Sequence, residues 1–535
     1  MLLLLVYWFI LFVFASLSGI AFQNTFGISK TNPAFTVLFG LIFQTFFLSL
    51  CALLFRINSE VFILNCIIQL LFFLQYKVEF LTFLKSLFKS FSKKQFYLFI
   101  GLTVLIALKS AQLPTIFDNE SYYIQTIKWL NEYGFVKGVA NVHPFLGQFS
   151  FWHVLQSGFN FSFITNKVND INGFVLLIGI YYFFEKNSKK SFNWSFFGIV
   201  FLVFYYQFID SPSSDLPILI VSSIIFYEFI EKTMDFKTLL IFSLYIFIIK
   251  VTFFPIVFLA LFSIKKNKKN LLFLLVCSTL FGLLFVVKNS IISGYPLFPL
   301  PYFATNYDWK MSSEVLKQLS QIVIDGGYSE HLVATKNLSY LDKFILWFKL
   351  DGLNAIFNRG MLVLFLIIPF TTFFKLNTNF KKLYFILLIH FIVLLLVSPQ
   401  YRYFLPTFIL FATVLAYEFS TYLKFSIKNS IVIFSLFFVL ISLFIDVKKP
   451  SNGITFKLSQ LLIPESNTKY ENNNFISKSI GDFYYFDPVL PNLYETSNGE
   501  LPCVNERLYK HYNYFPQQRT NDIKDGFYAK EFINE

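Results

Sequence analysis

The chain has 535 residues, 56% of them hydrophobic and only 14% charged, with a mean hydropathy of +0.60. Soluble domains carry about 25% charged residues, so this composition excludes a soluble globular protein and points to a multi-pass membrane protein. The net charge of +13 is carried largely by short lysine-rich connections, in line with the positive-inside rule, and gives no indication of a nucleic-acid partner.

Residues 1–22 lack a basic leader region and a small-residue cleavage site, and read as a first transmembrane helix. Spans of roughly 17–25 residues, some shorter or broken, are expected near 3–22, 34–55, 60–76, 96–112, 168–184, 194–209, 216–231, 237–249, 251–264, 270–287, 360–376, 383–398, 405–424 and 430–446. That makes about 14 transmembrane helices in an all-α polytopic membrane protein.

Lysines order these spans. Lys77, Lys85, Lys89, Lys93 and Lys94 mark one inside loop; Lys186, Lys189 and Lys190 another. Lys232 and Lys237, then Lys265, Lys266, Lys268 and Lys269, then Lys375, Lys381 and Lys382, then Lys424 and Lys428 continue the series. All face the cytoplasm if residues 148–165, with His153, Gln156 and Asn160, form a re-entrant or surface-lying helix and make no full crossing. Segments 113–167, 288–358 and 447–535 then lie outside. The expected organisation is residues 1–95 as extra N-terminal transmembrane helices, 96–446 as the membrane core and 447–535 as a small polar extracytoplasmic tail. Cys51, Cys66 and Cys277 fall in apolar runs and only Cys503 in a polar one, which is no disulfide framework.

Residues 237–264 are flanked by basic loops, so they enter and leave on one face. A continuous helix would put Lys250 in mid-membrane at about 2.5–3.5 kcal/mol. Two half-length helices meeting near Lys250 avoid this, with Pro255 opposing continuity. Lys250 is then expected at the base of an outward-facing cavity.

The outer ends of the spans carry Asp118, Glu120, Asp210, Asp215, Lys250, Lys288 and Arg402. Interfacial ion pairs that fix helix ends account for any one of them; a mixed-sign set drawn from dispersed loops is a candidate polar site. Asp118-Asn119-Glu120-Ser121-Tyr122-Tyr123 precedes a stretch, Ile124 to Tyr133, with the spacing of an amphipathic helix on the outer surface. Asn141-Val142-His143-Pro144, Asp210 to Pro217, Lys288 to Pro299 and Ser398 to Pro406 follow as turn-forming outer segments, in which His143 is equally a simple turn cap.

Taken in order, these blocks resemble the GT-C class of integral-membrane glycosyltransferases, which use polyprenyl-phosphate-linked sugars. Asp118-Asn119-Glu120 is similar to the acidic motif of their first outer loop, and His143-Pro144 to the His-Pro block that follows. Asp215 resembles the acid after the next outward-going helix. Lys250-Val251-Thr252 resembles their lysine-bearing break between short helices, and Arg402-Tyr403-Phe404-Leu405-Pro406 their Arg-Tyr-x-x-Pro block. With Ser211-Pro212-Ser213-Ser214-Asp215 and Ser293-Gly294-Tyr295-Pro296, the set is similar to a family of bacterial multi-pass membrane proteins, one of them described from leptospires. The resemblance covers roughly residues 96–450. Three additional spans precede the acidic loop, and Phe145 stands where a second proline usually follows.

The resemblance implies transfer of a sugar from a polyprenyl-phosphate donor to an extracytoplasmic acceptor, in the bacterial inner membrane, during envelope glycan assembly. Asp118 would be the base, with Glu120 second choice. Lys250, Lys288 and Arg402 would hold the donor phosphate, and His143 the phosphate or sugar. Asp215 would orient a sugar hydroxyl or a divalent metal, the one cofactor considered. Tyr122, Tyr123, Tyr295 and Tyr403 would stack on sugar faces or sit in the aromatic belt. The rival readings are a transporter or flippase, for which broken helices are also typical, a polysaccharide polymerase with a large outer loop, and an inactive scaffold whose tail binds a partner.

Overall fold

The computed structural model describes residues 1–29, 32–165, 167, 171–188, 202–264, 267–329, 335–422, 456–470, 475–490 and 492–531. The expected span at 430–446, residues 194–201 of the span at 194–209, and Lys189, Lys190, Lys265, Lys266, Lys424 and Lys428 lie outside the described residues.

Helices α1 (Leu2–Phe26), α2 (Pro33–Leu54) and α3 (Ser59–Ser86) open the chain. Asn32 caps α2 by accepting the Ala34 N–H at 2.8 Å, and Pro33 fits the first turn because its missing N–H has no helical partner there. Gly19 and Gly40 let α1 and α2 approach closely: a Cβ on either would collide with the facing backbone, at Thr36 and Ala15 respectively. Ser18, Gln44, Asn65 and Gln69 tie the three helices through buried side-chain bonds, including Gln44 to Ser18 at 2.8 Å and Asn65 to Gln44 at 2.7 Å. Between lipid-bathed helices there is little hydrophobic driving force, so close packing and such polar links hold the bundle.

Next come α4 (Lys93–Ser110), α5 (Ile124–Glu132), α6 (Phe151–Phe159), α7 (Asn172–Ser188), α8 (Asp215–Glu231), α9 (Phe236–Ile249) and α10 (Phe258–Ser263). The rest of the helical part is α11 (Lys268–Ser293), α12 (Ser313–Tyr328), α13 (Tyr340–Lys349), α14 (Gly352–Ile367), α15 (Thr372–Leu376), α16 (Thr378–Val397) and α17 (Tyr401–Tyr422). Among the described residues, seven helices are long and apolar enough to cross a membrane: α1, α2, α3, α11, α14 with its extension to Phe370, α16 and α17. The protein is helical and membrane-embedded, but the expectation of about 14 spans is corrected. α7 and α8 have 17 residues each and reach only about 26 Å. α4 carries Lys93, Lys94 and Lys109 on 18 residues. α9 and α10 are parts of one broken segment. α6 has nine residues, about 14 Å, so 148–165 makes no crossing; it is buried inside the protein and does not lie on a surface.

The tail departs from the all-α class: it carries two β-hairpins. β1 (Phe475–Ile480) pairs antiparallel with β2 (Phe483–Pro488), and β3 (Tyr514–Gln518) with β4 (Phe527–Glu531), with helix α18 (Glu506–Tyr512) between the hairpins. Gly481, at φ 59°, and Asp482 form the two-residue turn of the first hairpin, where glycine takes the left-handed backbone without a Cβ clash. One hydrophobic core runs continuously from Leu4 in α1 to Phe527 in β4.

The connections sort to two ends of the bundle. At one end the Met1 ammonium bonds the Gln460 carbonyl, Asn58 reaches the Asn131 carbonyl at 3.2 Å, and Arg519 of the tail pairs with Asp308 at 2.8 Å. This end gathers the segments expected on a common face. At the other end Tyr181 bonds the Leu87 carbonyl at 2.5 Å, Lys237 the Phe26 carbonyl at 2.6 Å, and Asn379 the Phe229 carbonyl at 2.8 Å. The described parts of the lysine-rich connections after α3, α7, α8 and before α16 lie there.

Candidate functional site

Asp118 stands at the entrance to a π-helical turn, Asn119–Tyr123, that runs into α5. A π turn brings residues i and i+5 together. The Tyr123 hydroxyl accordingly donates to Oδ2 of Asp118 at 3.3 Å. Asp215 is the first residue of α8, and its backbone N–H donates to the Ser213 hydroxyl at 3.2 Å. The turn before it is held by Asn172, whose amide donates to the carbonyls of Phe208, Ser211 and Ser213 at 3.2, 2.7 and 2.9 Å. The Trp152 indole in turn donates to Oδ1 of Asn172 at 2.7 Å.

Lys250 ends α9 in extended backbone, at φ −149° and ψ 110°, and a 3-10 stretch, Val251–Val257, carries the chain over Pro255 into α10. The break is where the lysine and the proline predict it. Arg402 and Tyr403 lie in the first turn of α17. The turn before them is fixed by Trp347, which donates to the Pro399 carbonyl at 2.8 Å, and by Gln400, which accepts from Nε of Arg402 at 2.8 Å.

These four elements meet. Nη1 of Arg402 lies 3.2 Å from Oδ2 of Asp118 and 3.2 Å from Oδ2 of Asp215. Lys250 pairs with Oδ1 of Asp215. The Tyr403 ring covers both cations, its centroid 3.9 Å from Nζ of Lys250 and 5.2 Å from the Arg402 guanidinium carbon. Two acids and two bases give a neutral set, which is how charges persist away from water. Asp215 is only 3% exposed, whereas Asp118, Lys250 and Arg402 keep 22%, 19% and 23% of their side chains accessible. The cluster is thus anchored on Asp215 and open on its other members. Both contacts of Asp118 fall on Oδ2, and no described residue bonds Oδ1.

Other expected site residues are elsewhere. Residues two apart on a helical turn face nearly opposite sides, so Glu120 points away from Asp118 into the tail. Its carboxylate accepts from the Thr468 hydroxyl at 2.8 Å and the Lys469 N–H at 3.1 Å. Its carbonyl accepts the Thr496 and Ser497 N–H groups at 2.9 and 2.7 Å. Glu120, expected as a second-choice base, is bonded to the tail and is not brought to the Asp118 cluster. His143 is a cap after all: Nδ1 accepts the Phe145 N–H at 3.2 Å, and Nε2–H donates to the Tyr494 carbonyl at 3.2 Å. Burial lowers its pKa to about 4, so the ring is neutral.

Lys288 donates to the Phe149 carbonyl over the Phe151 ring, and no described carboxylate lies within ion-pair distance of it. Asp210 pairs with Lys109 at 3.5 Å, apart from Asp215. Tyr295 is buried with its hydroxyl on the Met311 carbonyl, so it presents no sugar-stacking face. Asn172, Gln400 and the hydroxyl of Tyr123 are the positioning groups that sequence reasoning missed. Asn172 had a readable signal, an amide opening an otherwise apolar helix. Asp118 and Asp215 are taken up by cations, and among the described residues no three His, Cys, Asp or Glu side chains group as metal ligands, so the site does not fit a divalent metal.

Fold and cluster together define a membrane-embedded helical protein with a neutral four-charge site at one end of its bundle. The chain belongs to the DUF8201 family, a domain of unknown function whose profile matches residues 1–409 and so takes in all four charged residues. No curated protein and no solved structure matches it.

Proposed function

We propose that the protein transfers a sugar from a polyprenyl-phosphate donor to an acceptor hydroxyl on the extracytoplasmic side of a bacterial inner membrane, as a step in envelope glycan assembly. The observation that carries this reading is the convergence of Asp118, Asp215, Lys250 and Arg402, with Tyr403 over the cations. The lysine-rich loops at the opposite end of the bundle support placing the cluster outside.

The chemistry is that of a displacement at the anomeric carbon. The acceptor oxygen bonds to that carbon, its proton passes to Oδ1 of Asp118, and the bond from carbon to phosphate oxygen breaks. The lipid phosphate leaves with the electron pair, and its growing charge is met by Lys250 and Arg402. Arg402 links the two halves of the reaction. It sits between the two carboxylates, Asp118 on the acceptor side and Asp215 behind the donor phosphate. Asp215, held by both cations, keeps them aimed at one place.

The test is to reconstitute the full chain in nanodiscs with a labelled polyprenyl-phosphate sugar and a mixture of envelope glycans. Free polyprenyl phosphate released in step with glycan labelling supports transfer. Movement of the labelled lipid across the bilayer with no labelled glycan overturns it in favour of a transporter.

A further inference from the structure

A second polar site lies away from the charged cluster, where the tail meets α5. It is a cavity of about 530 Å³, in the size range of small-molecule sites, bounded by α5, the turn after α6, the start of α3 and the tail around Asn467 and residues 498–500. We propose that this cavity binds a neutral carbohydrate chain.

The lining selects for hydroxyls. On one side amides are locked in a relay. Asn58 donates to the Asn131 carbonyl at 3.2 Å, and Asn160 donates to the Asn131 side-chain oxygen at 2.6 Å. Asn131 is itself spent on the carbonyls of Ile57 and Ser157. The relay holds these side chains still, and one amide N–H each on Asn58 and Asn160 is left to meet a ligand hydroxyl. Asn467 also lines the cavity, and its unbonded Oδ1 has almost no accessible surface.

The rim carries Glu132 and Glu500 against a single Lys128, whose ammonium already donates to the Gly499 carbonyl at 3.0 Å. Burial raises the Glu132 carboxyl above its ordinary pKa, Lys128 opposes this and Glu500 adds to it, so the two acids feel each other. A site with net negative charge rejects phosphate and uronate, while its carboxylates accept hydroxyl donors well. Phe486 of β2 supplies an apolar surface for sugar C–H faces. That the bound chain is the acceptor rests on the transfer reading above; that the cavity takes a neutral glycan does not.

The experiment uses the full chain in nanodiscs and saturation-transfer NMR, with dextran and chitin fragments of four to six sugars at millimolar concentration and oligogalacturonate as the acidic control. We expect signal from neutral fragments, little from the acidic one, and a loss of about tenfold in affinity in Glu500→Gln, the scale of one lost hydrogen bond to a charged group, and of about tenfold in Phe486→Ala, the scale of losing about 55 Å² of apolar contact. Both positions are at least partly exposed, so the variants are expected to fold. Asp118→Asn should bind as the parent does even where it transfers nothing, which separates failure of this inference from failure of the transfer reading. No signal from any neutral fragment, a preference for the acidic one, or unchanged binding in both variants overturns the proposal.

Discussion

Asp118 and Arg402 stand 284 positions apart in the chain and meet at 3.2 Å, Oδ2 to Nη1. The contact joins the segment after α4 to the first turn of α17, and Arg402 extends it at the same distance to Asp215 at the head of α8. One guanidinium therefore serves two carboxylates, and whatever draws it away alters both.

The pairing of Lys250 with Asp215 is a nearly buried ion pair, and removing one partner should cost more than removing both. Lys250→Ala leaves Asp215, 3% exposed, with Arg402 as its remaining counter-ion. The expected loss is about 3 kcal/mol, the low end for a broken buried pair because Lys250 is partly accessible. Lys250→Ala combined with Asp215→Ala should recover much of it. Thermal unfolding of the purified variants checks this; equal or greater loss in the double variant contradicts it.

Glu120→Ala should release the tail without touching the chemistry. It removes the acceptor of the Thr468 and Lys469 bonds, at about 1.5–3 kcal/mol for each bond to a charged group. Limited proteolysis should then cut between residues 456 and 531 faster than in the parent. A variant with intact protease resistance but lost transfer would return Glu120 to the reaction.

The helical order, the break at Lys250 and the meeting of Asp118, Asp215, Lys250 and Arg402 were readable because each rests on a local cost: hydropathy, a lysine in lipid, or unpaired charge at a helix end. Glu120 was not, because Asn119–Tyr123 winds as a π turn where a loop was expected, and winding decides which of two nearby acids faces the site. Lys288 was not, because its partner is a backbone carbonyl at Phe149, invisible to any count of charges. The first tail hairpin carries a readable local signal, Gly481-Asp482 between two strand-like runs. The span count fell short among the described residues at the shorter, lysine-bearing or broken apolar helices α4, α7, α8 and α9–α10, where hydropathy alone does not separate a crossing from a buried helix.

Tail docking should weaken in acid. Burial holds His143 near 4, below its ordinary 6.5, so the docked state is neutral while an undocked His143 takes up a proton. The stabilisation is fully present above pH 6.5 and is lost as pH falls from 6.5 towards 4, by up to about 3 kcal/mol. Hydrogen exchange of the Tyr494–Tyr512 amides at pH 7 and pH 4.5 measures it, after correction for intrinsic rates. His143→Gln should flatten the dependence; an unchanged slope in that variant would assign it to other groups.

The central claim is that Asp118 acts as a base beside cations that hold a lipid phosphate. Asp118→Asn keeps the shape and a hydrogen-bond acceptor for Tyr123 and removes the base, and loss of a general base typically slows a reaction about 10²–10⁴-fold. The deciding measurement is the rate of sugar transfer from a polyprenyl-phosphate donor by Asp118→Asn and the parent protein in nanodiscs, with thermal unfolding compared alongside. The account predicts a fall of that size with the protein still folded; transfer at the parent's rate by Asp118→Asn would contradict it.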